Sequence, residues 1–387
     1  MNNTKAKRPR RRWRRVLKWT ASVVLLGLIA CGFVTYWTSS NDCERNAVTP
    51  THPMKAILSC EYGVENLQLR DIEKPTPADN ELLVRVRAAS VNPVDGHLIR
   101  GAWPMRPIAG LRKPRRTRFG TDFAGVVEAV GKSVTDFKSG DEVFGAAKGA
   151  VADYICVKAD RGIVSKPSNI TFEQAGSVAI AGLTALQGLR DKGRIQAGQK
   201  VLVNGASGGV GTFAVQIAKA YGADVTGVCS TRNVDLVKSI GVDHVIDYTK
   251  EDFTKTYQHY DMLYDLVGNH SFSDRRQILK PNGICVIGGM GGAGLHPESW
   301  GRLFGNFWAM FLSSFTSQKF PTYIAKLTKD DLNVLRDLME SGKVSPVIDR
   351  TYKLSETQAA LRYLEEGHAR GKVVITIGVE SPMNARN

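Results

Sequence analysis

Gly205-Ala206-Ser207-Gly208-Gly209-Val210-Gly211 places four glycines within seven residues. A pyrophosphate needs main-chain N–H groups aimed at it from a helix start, and a Cβ at the approach positions would hold it away. Gly205, Gly208, Gly209 and Gly211 leave that room, and with Ala206, Ser207 and Val210 they make a candidate phosphate cradle. A glycine string alone is a weak signal, since loops are rich in glycine. Here it follows the apolar run Val201–Asn204 and precedes helical periodicity over Phe213–Tyr221, the strand–turn–helix setting a dinucleotide cradle requires.

The end of the next apolar run bears on which nucleotide fits. A site for NAD normally sets a carboxylate there against the ribose hydroxyls, but the chain reads Cys229-Ser230-Thr231-Arg232-Asn233. With no acid to repel a 2′-phosphate and Arg232 able to pair with one, NADPH fits better than NADH. Ser230, Arg232 and Asn233 are the candidate contacts. Tyr248, after the third run, would line the adenosine end.

These residues must be held by an alternation of strands and helices. After Ala179 the pattern predicts strand Val201–Asn204, helix Phe213–Tyr221, strand Asp224–Cys229, helix Asn233–Ile240, strand His244–Asp247, strand Met262–Leu266, helix Phe272–Leu279 and strand Ile284–Ile287. Such alternation implies an α/β fold with a doubly wound parallel sheet. Before Ala179 the chain reads as short alternating strands broken by Gly, Pro and Asp (55–58, 82–88, 123–130, 141–144 and 154–157), a β-rich lobe.

The 387 residues carry 52 Lys+Arg against 37 Asp+Glu, a net +15, with 43% hydrophobic residues, which excludes a disordered chain and a small disulfide scaffold. Nine of the bases lie in residues 1–18, which hold no acid, so the rest of the chain carries only +6. Without a recurring basic and aromatic stripe in the body, nucleic acid is not expected as a partner. Residues 19–37 are uncharged and apolar, with Trp13, Trp19, Tyr36 and Trp37 near the ends. As a helix rising ~1.5 Å per residue they match a bilayer core, so one N-terminal membrane helix is expected. The charge asymmetry puts the N-terminus in the cytoplasm and the body beyond the membrane, whereas NADPH is a cytoplasmic cofactor; the side holding the body stays open. Signal-anchor retention, a lipoprotein box at Leu28-Ile29-Ala30-Cys31 and a twin-arginine signal at Arg14-Arg15 are the processing alternatives. The six cysteines lie far apart without a C-x-x-C pair, and are expected as single thiols, with neither a disulfide framework nor a zinc ribbon.

Four stretches carry a family resemblance: Ala89-Ser90-Val91-Asn92-Pro93-Val94-Asp95, Gly120-Thr121-Asp122-Phe123-Ala124-Gly125-Val126-Val127, Val201 to Gly211, and Ala359 to Ile377, which includes Arg370-Gly371-Lys372-Val373-Val374. From Met54 to Ile377 the chain resembles the zinc-independent medium-chain dehydrogenases/reductases of the quinone oxidoreductase and alkenal reductase type. The resemblance implies a Rossmann domain inserted in a GroES-like β-rich catalytic domain. The expected division is a basic segment 1–18, a membrane or signal-anchor helix 19–37, a linker 38–53, a GroES-like domain 54–179, a Rossmann domain 180–342 and a return to the first domain over 343–379. It also implies a homodimer and adds Arg370 and Lys372 as candidates on the cofactor side.

Zinc-dependent relatives ligate their catalytic metal with a Cys in the first stretch and a His-Glu pair in the second. This chain has Asn92 and Thr121-Asp122 there, so no metal is expected. Without a metal, the easier chemistry is hydride addition to an electron-poor acceptor, a quinone or the C=C of an α,β-unsaturated carbonyl, with NADPH as donor. Asn92 is the candidate hydrogen-bond donor to the developing oxyanion, though it serves equally to turn the chain before Pro93. Asp95 is a second candidate and His97 a neighbouring alternative. Two other functions stay open: an alcohol-dehydrogenase-like reductase of simple carbonyls, and a membrane-anchored NADPH-binding scaffold or sensor with little turnover. An aromatic stripe (Trp300, Phe304, Phe307, Trp308, Phe311, Phe315) suits a core or dimer contact, a pocket wall or a membrane contact. The basic loop Arg106 to Arg118 is either solvated or set against anionic headgroups.

Overall fold

The computed structural model describes residues 43, 49–101, 106–288, 312–313 and 316–378. The chain opens with an antiparallel ribbon, β1 (Pro53–Ser59) and β2 (Leu67–Glu73). The eleven-residue β3 (Glu81–Val91) leads through Asn92 into helix α1 (Pro93–Arg100). Pro93 at the first helical position loses no hydrogen bond there, and Gly101, at φ 59°, closes the helix in the left-handed region. β4 (Asp122–Val130), β5 (Glu142–Ala146), β6 (Tyr154–Lys158) and β7 (Ile163–Ser165) follow.

Helix α2 (Ala179–Gln187) then enters a second layer built from β8 (Lys200–Asn204), α3 (Gly209–Ala220), β9 (Asp224–Cys229), α4 (Val234–Ser239), β10 (His244–Asp247), β11 (Tyr260–Asp265), α5 (Phe272–Gln277) and β12 (Leu279–Ile287). Its five strands are all parallel, in the order β10-β9-β8-β11-β12. Val201, Leu202 and Val203 are all buried, as a strand covered on both faces requires. Helix α3 starts four residues earlier than its apolar periodicity shows, because Gly208 caps it and its first turn, Gly209-Val210-Gly211-Thr212, offers a single apolar side chain to read. Helix α5 stops at Gln277, short of the expected Leu279, because Leu279 pairs with Tyr260 and begins β12.

The chain finishes with α6 (Lys329–Glu340), β13 (Ile348–Lys353), α7 (Thr357–Glu365) and β14 (Lys372–Thr376). β14 lies antiparallel against β3 and parallel to β13, so the C-terminal strands join the seven-stranded sheet β13-β14-β3-β4-β5-β7, with β6 also paired to β3. One apolar core runs from Ala124 and Phe144 of this sheet through Ala181, Leu183 and Leu186 of α2 to Val203 and Phe213 of the parallel layer.

One sequence expectation is overturned. Cys43 and Cys60 form a disulfide with Cα atoms 5.7 Å apart, which ties the polar linker to the end of β1. Cys156, Cys229 and Cys285 are free thiols, the last two buried. The basic run 1–18, the apolar stretch 19–37, Cys31 and the aromatic stripe positions lie outside the described residues. Among the described residues no helix is long and apolar enough to cross a membrane.

Candidate functional site

The glycine turn connects β8 to α3, with Gly205 at φ 89°. A Cβ on Gly211 would sit 2.0 Å from the Gly205 carbonyl oxygen, so only glycine lets the helix start this close to the turn. A Cβ on Gly209 would meet Lys372 Cδ at 3.2 Å and the Gly371 carbonyl at 3.4 Å, which places the C-terminal loop directly beside the turn.

Asn233 gathers the residues expected around the second strand's end. Its Nδ2 donates to Ser207 Oγ at 3.0 Å and to Ser230 Oγ at 3.2 Å, while its buried Oδ1 has no hydrogen-bond partner. Such an orphaned acceptor suits a ligand hydroxyl. Arg232 is exposed and donates from Nη2 to the His368 carbonyl at 2.8 Å. Asp247, at the end of β10, accepts from Thr231 Oγ1 at 2.6 Å, and hydrogen bonds from Thr231 and Thr249 hold its carboxyl down at about 2. Tyr248 is 60% exposed, and its N–H donates to the Cys229 carbonyl. Arg370 is exposed, with its backbone fixed to Asp349 at 2.8 Å.

Sheet register builds a second cluster. Val373 pairs with Val91 across β14 and β3, so the same antiparallel count sets Lys372 opposite Asn92; Ser90 pairs with Asp122 across β3 and β4. The side chains meet there. Lys372 Nζ donates to Asn92 Oδ1 at 2.6 Å and to Asp122 Oδ2 at 3.3 Å. Asp122 Oδ2 also accepts from Ser90 Oγ at 2.7 Å and Asn92 Nδ2 at 3.0 Å, and Oδ1 accepts from the Ile180 N–H at 2.9 Å. The Lys372 and Asp122 side chains are 4% and 0% exposed. Removing two charges from water is costly, and this pair offsets that cost by hydrogen-bonding nearly every available lone pair.

Asp95 stands behind this cluster, its carboxylate accepting the Asn92 N–H at 2.8 Å. Burial pushes its carboxyl up to about 7. His97, also buried, leaves Nε2 without a partner, and burial lowers its pKa. Sequence reasoning missed Asp122 as a positive feature, treating it only as a lost metal ligand. It also missed the group at the carboxyl ends of β8 and β11, where Asp265 accepts from Asn204 Nδ2 at 2.9 Å and pairs with buried Arg275 at 3.3 Å. A carboxylate closing β11 beside an asparagine closing β8 was the available signal.

The chain matches two family models, the alcohol dehydrogenase GroES-like domain over residues 78–231 and the zinc-binding dehydrogenase over residues 240–375. It is 31% identical over 337 residues to the quinone oxidoreductase of Homo sapiens, covering 84% of this chain and 98% of that protein. The chain belongs to the medium-chain dehydrogenase/reductase family. It is accordingly an oxidoreductase with GroES-like and Rossmann-like domains. This medium-chain oxidoreductase is also 33% identical over 339 residues to the chloroplastic NADPH-dependent alkenal/one oxidoreductase of Arabidopsis thaliana, covering 83% of this chain and 79% of that protein. Among solved structures, the quinone oxidoreductase from Coxiella burnetii superposes with a TM-score of 0.71 at 30% identity, covering 84% of this chain and 99% of that one.

Proposed function

We propose that this chain is a zinc-independent, NADPH-dependent reductase that delivers hydride to a quinone or to the C=C of an α,β-unsaturated carbonyl. The observation that carries this reading is the Lys372 ammonium bridging Asn92 and Asp122 beside the glycine turn. Those two residues stand where metal-dependent relatives hold zinc. Their oxygens already face an ammonium, and a divalent cation between them would meet that like charge, so the residues present do not fit zinc. The names of the human and Arabidopsis relatives support the acceptor class, and the absence of an acid over Ser230–Asn233 with Arg232 at hand supports NADPH.

The residues of the glycine turn, Ser207, Ser230, Arg232 and Asn233 would hold the nucleotide, whose reduced nicotinamide supplies the hydride. Lys372 polarises the Asn92 carboxamide by donating to its Oδ1, which makes the Nδ2 hydrogens stronger donors. One of these hydrogens goes to Asp122 and the other is available to an oxygen gaining negative charge. Lys372 uses two of its three N–H groups on Asn92 and Asp122, and the third can serve the same oxygen or a phosphate. Asp95, through its bond to the Asn92 N–H, positions that residue.

The test is oxidation of NADPH and NADH by the full chain in detergent with a naphthoquinone, a 2-alkenal and a simple ketone, with and without chelator. Chelator-insensitive turnover of the quinone or alkenal with NADPH preferred is expected. Ketone-only turnover, or activity abolished by chelator, overturns the reading.

The apolar stretch 19–37 supports a membrane tether.

A further inference from the structure

The basic loop and the tether meet at one place. Leu58 bridges Arg118 in antiparallel sense, and the Ser59 N–H donates to the Thr117 carbonyl at 2.7 Å. Continuing the same count sets Arg116 opposite Cys60, the residue bonded to Cys43. The loop is well seated there. Tyr62 OH donates to the Gly110 carbonyl, Arg106 lies 5.2 Å over the Tyr62 ring, and Arg118 points inward to the Tyr154 carbonyl at 2.9 Å. What remains outward is a run of charge: Arg112, Arg115 and Arg116 are exposed, Lys113 is half-buried, and no acid occurs between Arg106 and Arg118.

Trp37, the end of the apolar stretch, precedes Cys43 by six residues. At ~3.3–3.6 Å per residue, the disulfide therefore lies within roughly 20 Å of that end. Without the disulfide the leash would run to β1 at Pro53, sixteen residues on and nearly three times as long. We propose that the face formed by Lys113, Arg115 and Arg116 beside the Cys43–Cys60 disulfide docks on the anionic headgroups of the bilayer that holds residues 19–37. This rests on the membrane reading of that stretch. The charge is of the right sign, and each Lys or Arg held at an anionic surface tightens the contact about fivefold.

The experiment places the full chain in lipid nanodiscs of phosphatidylcholine alone or with 30% phosphatidylglycerol and follows hydrogen exchange of residues 110–118 by mass spectrometry. Slower exchange in the anionic discs is expected, reversed by 0.5 M NaCl. The double substitution Arg115→Ala/Arg116→Ala weakens docking about 25-fold, two such factors together, while Arg115→Lys/Arg116→Lys keeps the protection. Reducing the disulfide lengthens the leash from six to sixteen residues and lowers docking about fourfold through effective concentration. Equal exchange in both discs, protection lost in the lysine variant, or protection reproduced in neutral discs by free inorganic phosphate overturns the docking face. A chain that stays out of both discs overturns the membrane reading along with it, whereas one that enters them without lipid-dependent protection overturns the docking alone.

Discussion

Replacing Lys372 by methionine keeps most of the side chain's volume and removes one charge from a buried pair. The Asp122 carboxylate then stands without its counter-ion, 0% exposed, though the Ser90 hydroxyl, the Asn92 amide and the Ile180 N–H still donate to it. Breaking a buried pair from one side costs about 3–5 kcal/mol, and the three remaining donors put this case near ~3 kcal/mol. Lys372→Met/Asp122→Asn removes the stranded charge as well, so the double variant should recover about 2 kcal/mol relative to the single, the non-additivity expected of residues in direct contact. Urea unfolding of the full chain followed by tryptophan fluorescence and circular dichroism measures both. A loss below about 1 kcal/mol for Lys372→Met, or a double variant that loses the sum of the two singles, would refute the assignment of this network. Turnover gives an independent check: kcat should fall in the single variant and stay low in the double, because the ammonium that polarises Asn92 is missing from both.

Arg232→Ala should raise KM for NADPH tenfold or more and leave KM for NADH within about twofold, since only the 2′-phosphate needs the guanidinium; equal effects on both nucleotides would remove the basis for NADPH preference. Gly211→Ala puts a Cβ 2.0 Å from a backbone carbonyl that cannot move without the turn, so the thermal stabilisation that NADPH gives should disappear. Burial raises the Asp95 carboxyl from its ordinary 3.8 to about 7, so the folded state keeps a proton that the unfolded chain releases in between. Its contribution is complete below about pH 4 and is lost as pH rises through about 7, up to ~4 kcal/mol in all. Asp95→Asn, whose amide oxygen still accepts the Asn92 N–H, should flatten that part of the stability profile; an unchanged slope in urea midpoints from pH 4.5 to 7.5 would contradict it.

The parallel layer was readable because short apolar runs alternate with helical periodicity and its turn holds four glycines in seven residues. Val201–Asn204 and Asp224–Cys229 stand in the structure with nearly the bounds their composition suggests. β2 and β13 were not, since their residues are mostly exposed or half-buried and their alternation is weak. Helix α6 carried a Thr328 cap and acids in its first turn, signals that were present and passed over. The candidate site divides in the same way. Gly205 to Gly211, Ser230 and Asn233 are local in sequence, so chain order exposes them together. The Lys372–Asn92–Asp122 cluster joins residues 280 and 250 positions apart, and only the register of β14 on β3 brings them together. The Cys43–Cys60 bond was hidden for the same reason, because neither cysteine sits in a spacing that implies its partner.

That register also explains how two distant parts of the site share one support. Arg232, from the end of β9, donates to the carbonyl of His368; the Arg370 N–H is held by Asp349; the Gly371 carbonyl and the Lys372 side chain lie against Gly209; and Lys372 reaches on to Asn92. The five residues from His368 to Lys372 therefore touch Arg232 at one end and Asn92 at the other. Gly371, at φ 113° and with the Val347 carbonyl 2.4 Å from where a Cβ would stand, fixes the path between them. A shift of this stretch would displace Arg232's anchor and Lys372 together, although the chain writes Arg232 and Asn92 more than a hundred residues apart.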